Sequence, residues 1–278
     1  MGGPHVCQSH CCLREYPEIA SALAAYLEFT MIEPTRFPNA PITEALLDIR
    51  VNLPEHVDLA LLATFQDLIK DQYPSRHERV FWQGNLQLSQ GDLRLSQPTG
   101  GPVGYLFTSL DGKQHVQARL DGFTFNRLKP YNDWESLRDE ARKLWQHYTQ
   151  IASPKSITRV ALRYINRIEI PLPMRDFKDY VLTIPEIAPG LPQGLANFFM
   201  RLIIPVPAMN AIAIVTEAFD PTAASSSVLP FIFDIDVFCE ALFDVDAVEV
   251  WETLEKLREL KNEIFFKSIT DRAKELFQ

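Results

Sequence analysis

The chain runs through one order of elements twice, and that repetition limits its fold more than any other feature. From Ala45 the pattern strand, helix, antiparallel meander, long helix runs once to about residue 150. A degenerate version follows from Ile157 to the end. An order repeated over ~100 residues points to a duplicated α+β unit, and it limits where a site can lie.

The pattern is carried by periodicity and punctuation. Residues 45–52 alternate, with Ala45, Leu47, Ile49 and Val51 on one side and Leu46, Asp48 and Arg50 on the other, which predicts a half-buried strand. Val57, Leu61, Phe65, Leu68 and Ile69 recur at helical spacing over residues 56–73, until Pro74 stops the helix. Strands are expected at 79–89 and 104–110. Asp111-Gly112 and Asp121-Gly122 then turn the chain into strands at 114–120 and 123–128. Asn132 or Asp133 can cap a helix through residue 150, with Leu137, Ala141, Leu144, Trp145 and Tyr148 as its inner stripe. The longest strand is predicted at 157–170. A proline-rich connection with one short helix near 177–182 follows, then strands at 197–204, 211–219 and 228–239. Two helices, at 246–260 and 262–277, close the chain.

These elements predict an α+β fold, a curved antiparallel sheet with helices on one face. Residues 31–153 and 154–278 would form two related halves packed as one globular body. The strand–helix–meander–helix order is similar to that of the TATA-binding protein saddle, a likeness of fold that carries no function. A single helix-grip-like sheet around one long helix is the alternative.

Composition excludes some functions. A net charge of -9 opposes broad, sequence-blind nucleic-acid binding, which needs a basic surface. The apolar stretch 202–215 is broken by Pro205, Pro207 and Asn210, so no membrane span is expected. Cys7, Cys11 and Cys12 crowd the start and only Cys239 lies in the body, which leaves no disulfide framework and fits the cytoplasm. Residues 1–30 read as a disordered leader or a non-native extension, with Met31 as a candidate start. His5, Cys7, His10, Cys11 and Cys12 are zinc-ligand types, but adjacent Cys11 and Cys12 suit a tetrahedral site poorly.

Four segments carry a resemblance. They are Phe37-Pro38-Asn39-Ala40-Pro41-Ile42-Thr43-Glu44-Ala45-Leu46-Leu47-Asp48-Ile49-Arg50, Phe123-Thr124-Phe125-Asn126-Arg127-Leu128 with Pro130-Tyr131 and Trp134, Leu162-Arg163-Tyr164-Ile165-Asn166-Arg167-Ile168, and the tail from Lys261-Asn262 to Leu276-Phe277. Together the chain resembles a sporadically distributed, largely bacterial family of uncharacterised proteins of this size. Members of that family start just before the Pro-Asn-Ala-Pro-Ile motif, which implies Met31 as the start. The family has no established activity, so the resemblance implies no catalytic residues.

Two constellations could carry chemistry. Arg159, Arg163 and Arg167 line one side of the 157–170 strand with Ile157, Ala161, Ile165 and Glu169, each arginine ~13 Å from the next. On an open face they and Arg50 could hold phosphates or an acidic partner segment, because guanidinium forks suit planar oxyanions. The competing expectation is an ion-pair ladder with Glu44, Asp48, Glu217 or Asp234. Asp234 and Asp236, two apart on a strand, point the same way and could share a divalent cation with Asp48 or Glu217 as third ligand. The companions of such a site are missing: the sequence has no Gly-rich phosphate loop, Gly-x-Ser-x-Gly elbow or His-Glu-x-x-His helix. Cys239, Phe123, Phe125, Trp134, Trp145 and Trp251 read as core. Phe265, Phe266 and Phe277 could form an exposed homodimer patch, or dock within the fold.

The leading expectation is therefore a non-enzymatic protein-binding or adaptor protein without a cofactor, using the open sheet face. The alternatives are a metal-dependent phosphoryl-transfer or nucleotide-processing enzyme on Asp234, Asp236 and Asp48, and a specific nucleic-acid binder.

Overall fold

The computed structural model describes residues 37–83, 86–89, 92–95, 99–220 and 227–278, with no account of the side chains of 81–99. The expectations for residues 1–30, including the His/Cys group, lie outside the described residues. Residues 36–278 form one compact unit.

The first pass of the pattern gives β1 (Ile42–Asn52), two short helices α1 (Leu59–Ala63) and α2 (Phe65–Ile69), and β2 (Ser75–Gln83). The small hairpin β3 (Leu86–Ser89) and β4 (Asp92–Leu95) precedes β5 (Thr99–Thr108), β6 (Gln114–Arg119), β7 (Gly122–Leu128) and α3 (Trp134–Ala152). The second pass gives β8 (Ser156–Pro171), a single 3-10 turn at Phe177–Asp179, β9 (Phe199–Val206), β10 (Ala211–Phe219), β11 (Val228–Phe243), α4 (Val248–Ser268) and α5 (Asp271–Glu275). Nine strands form one unclosed sheet in the order β2-β5-β6-β7-β1-β8-β11-β10-β9, with antiparallel neighbours throughout. β1 and β8 meet at its centre. β1 has β7 on its other side, and β8 has β11. Among the described residues no helix is long and apolar enough to cross a membrane.

All the main helices cover the same face. Ala45, Leu47, Ile49 and Val51 lie opposite Tyr164, Leu162, Val160 and Ile157, and all are buried. α3 is capped by Asp133, whose carboxylate accepts the Ser136 backbone N–H at 2.7 Å. Its predicted stripe is buried, and Trp145 and Tyr148 pack on Phe123 of β7. α4 lays Phe265 on Phe233 of β11. The two long helices are joined where Glu255 accepts from Trp134 Nε1 at 2.8 Å and from Arg138 at 2.9 Å. Gly122 starts β7 at φ 151, and a side chain there would strike the Ile49 carbonyl, so the β6–β7 turn needs glycine.

Several expectations are corrected. The 56–73 helix breaks into α1 and α2 at Thr64, and its buried set is Val57, Leu62, Phe65, Ile69 and Tyr73, while Leu68 is exposed. The last helices divide at Ile269 and Thr270, because α4 runs on through Leu260 to Ser268. Thr158 is skipped in the β1–β8 register, and this bulge turns Ile157 from the arginine side into the core. The aromatic tail is not an exposed patch. Phe265 and Phe277 are buried, Phe266 is half-buried, and Phe37 from before β1 packs on Phe266 and Phe277.

Glu217 is the outlier of the core. Strand alternation puts it with Val215 and Phe219 on the helix-covered side, opposite Phe233, where it is buried and, among the described residues, neither carboxylate oxygen has a partner. It therefore takes no part in pairing the arginines. Burial pushes its carboxyl up to about 7 from an ordinary value of 4.5. The folded chain keeps the proton that the unfolded chain releases, so stability falls as pH rises through this window and levels off above it. Across it, wild type should lose ~3 kcal/mol relative to Glu217→Gln in urea melts. Parallel pH profiles for the two proteins would refute this assignment.

Candidate functional site on the helix-free sheet face

The side of the sheet away from the helices carries a charged ladder, placed there by the same two-residue alternation that sends Leu47 and Leu162 inward. Asp48 on β1 is its hub. Asp48 Oδ2 accepts from Arg119 Nη2 of β6 at 2.8 Å and from the Thr124 hydroxyl of β7 at 2.8 Å. Its Oδ1 accepts from Arg50 Nε and from Arg159 Nη1 of β8, both at 3.0 Å. Ala161 stands directly opposite Asp48, and its short side chain lets the Arg159 guanidinium reach across the strand gap. Burial alone would push the Asp48 carboxyl up. The Arg119 and Arg50 charges, with hydrogen bonds from Arg119 and Thr124, hold it below the usual carboxylate range.

The ladder extends to β11. Arg159 reaches on to Asp236 Oδ2 at 3.7 Å, and its guanidinium lies 4.3 Å from the Phe238 ring centroid. Arg163 grips Asp234 in a fork, with Nε to Oδ1 at 2.9 Å and Nη2 to Oδ2 at 2.6 Å. Arg167 pairs with Glu169 at 2.7 Å and Asp220 at 3.6 Å. Burial raises the Asp236 carboxyl; Arg159 and Arg163 pull it back, and Asp234 and Asp48 add to the rise. On the β6–β7 side Gln117 donates to Asn126 at 3.4 Å, and Asn126 donates to Glu44 Oε1 at 2.6 Å.

Of the residues singled out from sequence, Arg50, Arg159, Arg163, Arg167, Asp48, Asp234 and Asp236 thus lie on one face. They meet as alternating cations and anions. Between Asp48 and Asp236, where a shared cation would stand, the structure places the Arg159 guanidinium. Among the described residues no group of three His, Cys, Asp or Glu side chains is arranged to hold a metal ion. Glu217, the other proposed third carboxylate, is on the opposite face.

Arg119 and Thr124 are not among the sequence candidates. The alternation of His115, Gln117 and Arg119 against Val116 and Ala118 is the sequence signal that marks the Arg119 side of the strand. Toward β9 the face changes character. Phe199 and Ile203 of β9 are 72% and 61% exposed, beside half-buried Ile212, Ile214, Ile232 and Phe238. No protein-family model matches this chain, and no curated protein matches it.

Two perturbations test the ladder. Asp48→Asn removes the charge that three guanidiniums share and should cost ~3 kcal/mol at neutral pH. Because the folded Asp48 carboxyl is depressed, that difference should be present above its ordinary value and vanish as acid protonates it. An equal effect at both ends of the pH range would refute it. A double-mutant cycle of Arg163→Ala with Asp234→Ala should give a coupling of ~2 kcal/mol, and additive single effects would show the fork to be idle.

Proposed function

We propose that this protein is a non-enzymatic, cytoplasmic protein-binding module that takes an extended segment of a partner along β9 and the adjoining helix-free face. The observation that carries this reading is the state of β9. It ends the strand order, pairs only with β10 among the described strands, and leaves Phe199 and Ile203 largely exposed. A terminal strand offers backbone donors and acceptors to an added strand, and pockets for alternate side chains supply the selection.

The chemistry of the partner follows from the side chains. Phe199, Arg201 and Ile203 share one side of β9, with Arg201 exposed between the two apolar positions. The complementary segment is extended, with apolar residues flanking an acidic one. The ladder beside it supports a binding role over a reacting one, because its charges already satisfy each other. Arg163, with nearly half its side chain exposed, is the ladder cation best placed to meet a partner carboxylate. We read the body as a duplicated unit of two related halves. The supporting observation is the strand order, in which each pass runs outward from the centre as first strand, last strand, then the rest of its meander.

Short displayed peptides selected against the full chain should converge on an acidic residue between apolar ones. Ile203→Asp should abolish their binding and Arg201→Glu should reverse the charge preference. Equal binding to the Ile203→Asp protein, with its melting temperature unchanged, would sink the proposal.

A further inference from the structure

The helix-covered side of the sheet holds a second feature, independent of the β9 surface. A cleft of about 510 Å³ opens between the end of α2, the β5–β6 turn, β7 and α3. Its walls carry Asp71, Asp111, Glu140, Ser136, Tyr73 and Arg127. Arg127 stands on the inward side of β7, in register with Ala45 and Gln114, and is only half-buried. Every ladder arginine on the other face is tied to a carboxylate. Among the described residues Arg127 has neither an ion-pair nor a hydrogen-bond partner.

The rest of the cleft is held in place. The Tyr73 ring is buried, and its hydroxyl lies 2.7 Å from Gln114 Oε1 and 3.1 Å from Glu140 Oε1. Burial and the Glu140 charge both push that phenol up, so it stays protonated, and its one proton is shared between Gln114 Oε1 and Glu140 Oε1. Asp111 is fixed in the turn by the Ser109 hydroxyl at 2.6 Å and the Lys113 backbone N–H at 3.0 Å, both on Oδ1. In Glu140 and Asp111 one carboxylate oxygen is engaged inside the fold and, among the described residues, the other has no partner. The lining therefore combines one uncommitted guanidinium with three carboxylates, Asp71, Asp111 and Glu140.

We infer that this cleft binds a small zwitterion of the basic α-amino-acid type. Its carboxylate would sit on Arg127, where a planar fork meets a planar oxyanion, and its ammonium groups would face Glu140, Asp111 and Asp71. A simple anion would meet three negative charges for one positive. A simple cation would leave Arg127 unused. A ligand with one carboxylate and two cationic groups satisfies both sides of the lining, and the cleft is of ordinary size for a small-molecule site.

Isothermal titration of the full chain with L-lysine and L-arginine tests this. Both should bind saturably, while L-glutamate should not, and lysinamide, which lacks the carboxylate, should bind about tenfold or more weakly. Arg127→Gln should weaken L-lysine to the same degree, and Arg127→Lys should recover part of the loss. Because Arg127 has no partner to orphan, the melting temperature of the unliganded variants should match wild type. Absence of saturable binding by either basic amino acid at millimolar concentration overturns the inference. So does equal binding by Arg127→Gln, or L-glutamate binding as tightly as L-lysine.

Discussion

The antiparallel pairing of β1 with β8 is the interaction on which the rest of the structure depends. It joins the strands before α3 to those after it, and its register decides what every neighbouring residue meets. With Leu47 opposite Leu162, one side of the pair is a continuous apolar floor for α3 and α4. A slip of one residue would drive Asp48 and Arg163 into that floor and expose Leu47 and Leu162. The bulge at Thr158 belongs to the same constraint, since it returns Ile157 to the core where strict alternation would expose it.

That pairing also explains why an acidic chain gathers arginines at its centre. Side chains on adjacent strands stand close enough to touch, so acids and bases placed on β6, β1, β8 and β11 form a connected strip. Such pairs add little net stability once desolvation is counted, but breaking one leaves a costly orphan charge. Their contribution is to make the wrong register expensive. Glu217 shows the converse case. It sits on a neighbouring strand with the same alternation, falls on the apolar side, and is left without any partner.

The two faces then divide the chemistry. The helix-free side is balanced at its centre and apolar toward β9, which suits recognition of an extended chain. On the helix-covered side a cleft opens beside Tyr73, where Arg127 is left uncommitted.

Much of this architecture was legible in the chain. Alternation in β1 and β8, the Asp-Gly turns, the Asp133 cap and the α3 stripe are local signals, and each located its element. The element edges that failed were those set by packing: the break at Thr64, and the continuation of α4 past Leu260. For the candidate site, the sequence by itself determined that Asp48, Arg159 and Arg163 stand on one side of their strands, because side-chain direction in a strand depends only on parity. It could not determine who meets whom. That Asp48 gathers Arg50, Arg119 and Arg159, that Glu217 gathers no one, and that Arg127 opens onto a cleft were decided by tertiary structure alone. The reason is physical: strand order and register bring together residues as far apart as Asp48 and Arg159, and no local pattern encodes that distance.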